Sequence, residues 1–377
     1  AGAAGVMLYG ISLLAGVLGT GDLSLLAERF AMVSDGGIAS LGDPEVRTVV
    51  LGTLLILVGI GFKLSLVPFH FWCPDAFQGA SAEVGGFLSV ASKAGAFALL
   101  IRFMLALSGG PGTENILLGF GLGLGVVACI TTTFGNLAAY TQTNLKRLLA
   151  YSTIAHAGYM VMAVAALLVI QNGEGLVAGN PFDMQNAISG LLYYLAVYLF
   201  MNLGAFAVIA IARNYTFSEE VDSVRGLVYQ APVLCVAMLI CMFSLVGMPP
   251  FGGFFAKFMI FASVLRAGEV HWFMYVVLVV GGLNTVFSLV YYIRVLKTMF
   301  IDERPVDAPV VPIRFFSLEG AFASTLAILV LMLGIAPGIA TNLNENTKAA
   351  ADAVAVSHPG AQAGSLTLTD TGSGPGK

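Results

Sequence analysis

Charge is what this sequence has least of: Asp, Glu, Lys and Arg together make up 10% of 377 residues, where a soluble domain carries about 25%. With 58% hydrophobic residues and a mean hydropathy of +0.90, that scarcity excludes an ordinary soluble domain and leaves a polytopic membrane protein. Basic runs are missing too. Beyond the adjacent Lys146-Arg147 there is no Lys/Arg cluster, and the net charge is −4, so nothing points to nucleic acid. The four cysteines, Cys73, Cys129, Cys235 and Cys241, lie scattered in apolar segments without C-x-x-C spacing. No zinc or iron–sulfur site is encoded, and they read as packing residues. Neither a phosphate loop nor a Ser/His/Asp constellation is found, so hydrolytic or ATP-driven chemistry has no support. A charged n-region and cleavage site are likewise missing. The chain starts at Ala1 inside a helical-looking segment and reads as a piece whose N-terminal part is absent.

What is there is a succession of apolar runs. A span needs about 20 apolar residues, and on that rule the segments Ala1–Leu18, Val49 to a break at Pro68, Glu83–Leu107, Ile116–Tyr140, Asn144–Ile170, Ala187–Arg213, Tyr229–Arg266, Trp272–Phe300 and Phe316–Leu343 make about nine. The first is short, and a polar loop from Gly19 to Arg47 follows it. After Asn344 the chain turns to Ala, Gly, Ser, Thr and Pro, which reads as a disordered tail. The expected organisation is a membrane domain over 1–343 and a tail over 344–377, in an all-α polytopic helical bundle.

Two segments carry a lysine beside a helix breaker. The 38 residues from Tyr229 to Arg266 would make about 57 Å of helix against a hydrocarbon core of about 30 Å. The interruption is written at Gly247-Met248-Pro249-Pro250-Phe251-Gly252-Gly253, and Lys257 follows it. In the second segment Lys63 precedes Pro68, and proline frees a carbonyl that a membrane helix tolerates only where protein or water satisfies it. Lys93 lies ten residues into its own span. An ammonium at the bilayer centre costs about 2.5–3.5 kcal/mol on insertion scales, so each lysine is a functional candidate. Two plainer readings stand beside that one: the side chain snorkels to the interface, or it pairs with a carboxylate on a neighbouring helix. The functional reading makes Lys63, Lys93 and Lys257 stations that gain and lose protons.

His156 shares a helical face with Ser152 and Tyr159, and His70 sits beside the first break. Histidine exchanges protons near neutral pH, so both are relay candidates, with a hydrogen-bonding core role as the alternative; neither has a metal-ligand partner at i+4. Tyr194, Tyr198 and Asn202 form a second inward face, and Asn284, Ser288 and Tyr291 a third. Glu83 and Asp75 sit where a helix N-terminus favours negative charge, and capping or solvation explains them as well as proton transfer does. The row Gly119, Gly121, Gly123 and Gly125 is not a dinucleotide loop, because its spacing is two interleaved G-x-x-x-G pairs suited to helix packing.

The basic residues outside the spans set an orientation. Lys146, Arg147, Arg213, Arg225, Arg294, Lys297, Arg304 and Arg314 fall on one side, and Arg29, Arg47, Arg102, Arg266, Lys348 and Lys377 on the other. This puts the Lys146-Arg147 loop in the cytoplasm and the C-terminus outside.

The run from Gly61 through Lys63, Pro68, His70, Trp72, Pro74 and Asp75 to Ala80, together with Ala91-Ser92-Lys93, resembles the antiporter-like membrane subunits of proton-pumping NADH–quinone oxidoreductase, complex I, and subunit N in particular. The stretch Gln142 to Tyr159, and Gly247-Met248-Pro249 followed by Gly253 to Phe258, carry the same resemblance. It covers most of 1–343. The resemblance implies two inverted five-helix repeats, each with one broken helix and a lysine on a proton path. It implies that Lys63 and Lys257 are those lysines and that Lys93 links the half-channels. It implies a translocase subunit in a multi-pass cell inner membrane complex, with no redox centre of its own and no metal. NADH, FMN, iron–sulfur clusters and quinone belong to partner subunits. Two departures stand out: Ala80-Ser81-Ala82-Glu83 replaces the family's proline-containing turn, and the family's glutamate partner of the first lysine would lie upstream of Ala1. A subunit of a multisubunit cation/proton antiporter is the alternative of the same architecture. A substrate carrier is the alternative of another class, and it would need a pocket for an organic molecule.

Overall fold

The structure, a computed structural model, describes residues 2–33, 40–174, 177–305 and 317–335. It is helical, and among the described residues the only β-bridge pairs Asn144 with Glu220. In chain order the helices are α1 (Gly2–Leu18), α2 (Leu26–Val33), α3 (Pro44–Leu64), α4 (Trp72–Gly79), α5 (Ala82–Phe87), α6 (Lys93–Leu107), α7 (Glu114–Ala139), α8 (Leu145–Asn172), α9 (Pro181–Thr216), α10 (Pro232–Val246), α11 (Gly252–Val270), α12 (Phe273–Phe300) and α13 (Leu318–Ile335). Among the described residues seven helical stretches are long and apolar enough to cross a membrane, or up to nine when bent pairs count as single spans. The expected polar loop from Gly19 to Arg47 contains α2 and the first residues of α3. The expected tail, 344–377, lies outside the described residues, as do Arg314 and the end of the ninth span.

Helix starts follow local capping chemistry. Asp43 accepts from the Glu45 N–H at 2.9 Å ahead of Pro44, and Asn180 accepts from Phe182 N–H at 3.0 Å ahead of Pro181. Asn144 caps α8, accepting from the N–H groups of Lys146 and Arg147 at 3.0 and 3.1 Å. Each cap satisfies donors that the first turn leaves free.

Both expected breaks are real. α3 ends at Ser65, which takes the left-handed conformation (φ 60°), and the chain turns through Pro68 into α4. The freed groups find partners: the Trp72 indole N–H donates to the Phe62 carbonyl at 2.8 Å and the Val67 N–H to Thr131 Oγ1 at 3.1 Å. α10 ends the same way at Gly247 (φ 87°) before Pro249 and Pro250, and the Gly253 N–H opening α11 donates to Ser244 Oγ at 3.0 Å. The two corners read Ser65-Leu66-Val67-Pro68-Phe69 and Ser244-Leu245-Val246-Gly247-Met248-Pro249-Pro250-Phe251, one device used twice. At the second, a Cβ on Gly253 would stand 1.8 Å from the Ser244 carbonyl oxygen. Gly253→Ala must therefore push α11 away from α10, and we expect overpacking to cost about 1–3 kcal/mol, seen as a lower melting temperature of the purified membrane protein; an unchanged melting temperature would mean the corner is looser than described.

α8 is the axis. Its apolar stretch is 100% buried, whereas those of α7 and α12 are 39% and 28% buried. Small residues let α7 close on it: a Cβ on Gly158 would meet Thr132 at 2.6 Å, and one on Gly135 would meet the Ala155 backbone at 2.7 Å. The glycine row of α7 divides. Gly121 packs on Leu168 and Val169 of α8 and Gly125 on Val277 of α12, as expected, but Gly119 and Gly123 face open space. They line an apolar cavity of about 700 Å³ between α3 and α7, because alternate members of a helical G-x-G row point to different faces.

Candidate functional site

Along α8 the buried polar groups meet. Lys93 is buried and follows a π-helical turn over Leu88–Ser92, a local widening that recurs at functional sites. Its Nζ donates to the Thr153 carbonyl of α8 at 2.8 Å. In the same turn Ser89 accepts a short hydrogen bond from the Asn202 amide, and Asn202 Oδ1 and the Tyr198 hydroxyl have no partner. One turn beyond Thr153, His156 lies between two tyrosines: Nδ1 is 2.7 Å from the Tyr194 hydroxyl and Nε2 is 3.2 Å from that of Tyr292. The Tyr292 hydroxyl also meets Ser152 Oγ at 2.5 Å. Hydroxyl and imidazole groups can each donate and accept, so such a row can hand a proton from member to member.

At the second break Lys257 is buried, and its Nζ donates to the Val246 carbonyl, the end of α10, at 2.9 Å. The same Nζ stands 4.6 Å above the Tyr159 ring. Thr153 and Tyr159, which touch the two lysines, are about 9 Å apart along α8. Behind Tyr159, Asn136 of α7 donates to the carbonyl and Oδ1 of Asn284, both at 3.1 Å, and to the Tyr159 hydroxyl at 3.4 Å, and accepts from the Tyr291 hydroxyl at 3.1 Å. The three polar faces expected on α8, α9 and α12 thus point inward, with Tyr194, Tyr198, Asn202, Asn284, Ser288 and Tyr291 all buried. Tyr292 and Asn136 were not singled out. Tyr292 stands at i+4 from Ser288, the same signal that selected Tyr291, and Asn136 is a buried amide inside an apolar run.

Neither Lys93 nor Lys257 snorkels, and no carboxylate among the described residues pairs with either. Lys63 corrects the expectation of three buried lysines: it is exposed, beside exposed Phe62. α3 packs on α1 through Gly10, Gly52 and Gly59, and nothing described covers the side from which Lys63 emerges. His70 is buried in the turn of the first break, with its ring 4.4 Å from that of Phe134 and Nδ1 without a partner; it joins none of the tyrosines around His156. Glu83 is exposed in the first turn of α5, and exposed Asp75 pairs with Arg147 at 2.6 Å, so both carboxylates take their plainer reading.

One end of the bundle gathers the basic residues expected to share a side. Lys146 is buried, bridges Glu219 at 2.8 Å and donates to the Ala80 carbonyl at 2.6 Å; Arg213 bridges Glu219 at 3.0 Å. Arg294 donates to the Tyr140 carbonyl at 2.6 Å, and Arg225 and Lys297 approach Asp302. These contacts tie the foot of α8 to α4, whose other end is the first break.

A helical membrane bundle with two broken helices, a lysine at each, and a buried polar row on its central helix has the antiporter-like build of a polytopic membrane subunit. The chain belongs to the family described as "NADH:quinone oxidoreductase/Mrp antiporter, TM", whose model matches residues 2–287. It is 40% identical over 338 residues to NADH-quinone oxidoreductase subunit N 2 of Sorangium cellulosum, covering 88% of this chain and 61% of that protein. Against subunit N of an Anaeromyxobacter species identity is 39% over 345 residues, covering 88% and 62%. The chain thus spans about three-fifths of the length of these relatives. Among solved structures it is similar to a chain of respiratory complex I from Thermus thermophilus with bound aureothin (32% identity, TM-score 0.66, 89% of this chain and 65% of that one). A chain of the Mrp complex from a Dietzia species shares the fold at 21% identity and TM-score 0.72, over 93% and 67%. The resemblance to subunit N read from the motifs therefore stands.

Proposed function

We propose that the chain is the subunit N-type, proton-translocating membrane module of an NADH–quinone oxidoreductase. The observation that carries this is the row Lys93, Thr153, His156, Tyr159 and Lys257, laid along a helix whose apolar stretch is wholly buried and ending at a helix break. Lys93, His156 and Lys257 move the protons within this chain. Lys63 and His70 serve the half-channel of the first break, where a carboxylate from outside the described residues meets Lys63. Electron transfer from NADH to quinone takes place in partner subunits, which hold the FMN, iron–sulfur and quinone sites. The complex sits in the cell inner membrane, with the end bearing Lys146 and Arg294 in the cytoplasm and the C-terminus outside.

The test compares Lys257→Ala with Lys297→Ala in the assembled complex. Lys297 is 60% exposed and only approaches Asp302 at 3.7 Å. NADH-driven acidification of inverted vesicles should collapse in the first variant and persist in the second. Equal pumping in both would remove Lys257 from the path. The antiporter reading is the less supported second one, kept because the family description names both systems; sodium or potassium flux driven by a proton gradient without NADH would select it.

A further inference from the structure

We propose that Tyr159 is the positioning residue of Lys257, with its ring face, in place of a carboxylate, holding the ammonium at the end of α10. This rests on the proton-relay reading of Lys257. An ammonium has three donors, and here one goes to the Val246 carbonyl while the Tyr159 ring centroid lies 4.6 Å from Nζ. No carboxylate among the described residues shares the site. A desolvated cation over an aromatic face is held by the ring's quadrupole, worth about thirtyfold in an equilibrium constant.

The ring is set for this. The rings of His156 and Phe261 stand nearly perpendicular to it, at 5.9 Å and 71° and at 6.2 Å and 70°, which fixes its plane while Lys257 Nζ lies over the ring. Its hydroxyl is turned to the Asn136 amide, which is itself fixed by Asn284 and Tyr291. The phenol oxygen therefore holds the ring angle, while the π-face carries the electrostatics. Tyr159 also touches both His156 and Lys257, so a lysine held on this face stays beside the imidazole that the row presents. A face, unlike a carboxylate, gives the charged lysine a place without a fixed counter-charge that would hold its proton.

The test replaces Tyr159, in the assembled complex, with phenylalanine and then with 4-fluoro-, 3,5-difluoro- and 3,4,5-trifluorophenylalanine, which keep the ring's shape and drain its face of electron density. With Tyr159→Phe, which itself lacks the hydroxyl of the row, as the reference, NADH-driven pumping in vesicles should fall step by step to about tenfold lower at three fluorines; Tyr159→Leu, with no face, should be about thirtyfold below Tyr159→Phe. A flat fluorine series overturns the inference, and it decides the matter even where Tyr159→Leu fails to assemble. The two readings fail separately. Pumping lost in Lys257→Ala with a flat series removes only the role of Tyr159, whereas pumping retained in Lys257→Ala removes the relay itself.

Discussion

Lys93→Met is expected to lower proton pumping about a hundredfold, the scale of losing a positioned acid–base group, while the complex still assembles. Lys93 has one acceptor, the Thr153 carbonyl, and lies in the bundle interior. Methionine fills a similar volume and removes a buried charge, and taking an ammonium out of an apolar interior relieves a desolvation cost of several kcal/mol. The Thr153 carbonyl, in the interior of α8, stays within the helix ladder when the lysine donor is lost and is not left an orphaned acceptor. Assembly and function should therefore part company. Lys93→Arg should fail as well, since a guanidinium stays charged and cannot release a proton. Vesicle acidification, normalised to complex abundance on native gels, makes the measurement. Normal pumping per complex in Lys93→Met would assign Lys93 to packing.

The breaks were legible because breakers are local. Pro68 and the cluster Gly247 to Gly253 force interruptions whatever surrounds them, and both corners fall where the residues place them. Which helix lies at the centre was not legible. α7, α8 and α12 are similarly apolar runs, yet the apolar stretch of α8 is wholly buried and that of α12 mostly uncovered, because lipid and protein interior select the same side chains. Polar residues at i, i+4 and i+7 pointed the faces inward, but depth along a span did not tell which side neighbours cover. Lys63 shows this: it lies in the last turn of α3, ahead of Pro68, and emerges on the open side of that helix. The π-turn before Lys93 has no breaker residue in Leu88–Ser92 to announce it. The clasp of Lys146 on Ala80 and Glu219 joins residues too far apart in sequence for any periodicity to relate them.

His156 separates the relay from its plainer alternative, a histidine that only ties helices together. It joins α8 to α9 through Tyr194 and to α12 through Tyr292, so the structural role is certain to matter in any truncation. His156→Phe leaves the buried Tyr194 hydroxyl without its partner and strips Tyr292 of one of two, and a buried group left unpaired costs about 1–3 kcal/mol. Both melting temperature and pumping should fall, and that variant alone decides nothing. His156→Gln is the informative change. Its amide presents a donor and an acceptor to the two tyrosines but cannot take up or release a proton. We expect the melting temperature of His156→Gln to return most of the way to that of the parent, while pumping remains about a hundredfold down. A glutamine variant that restores both would make His156 a tie between helices and leave the gap between Lys93 and Lys257 to be crossed by the tyrosine and serine hydroxyls alone.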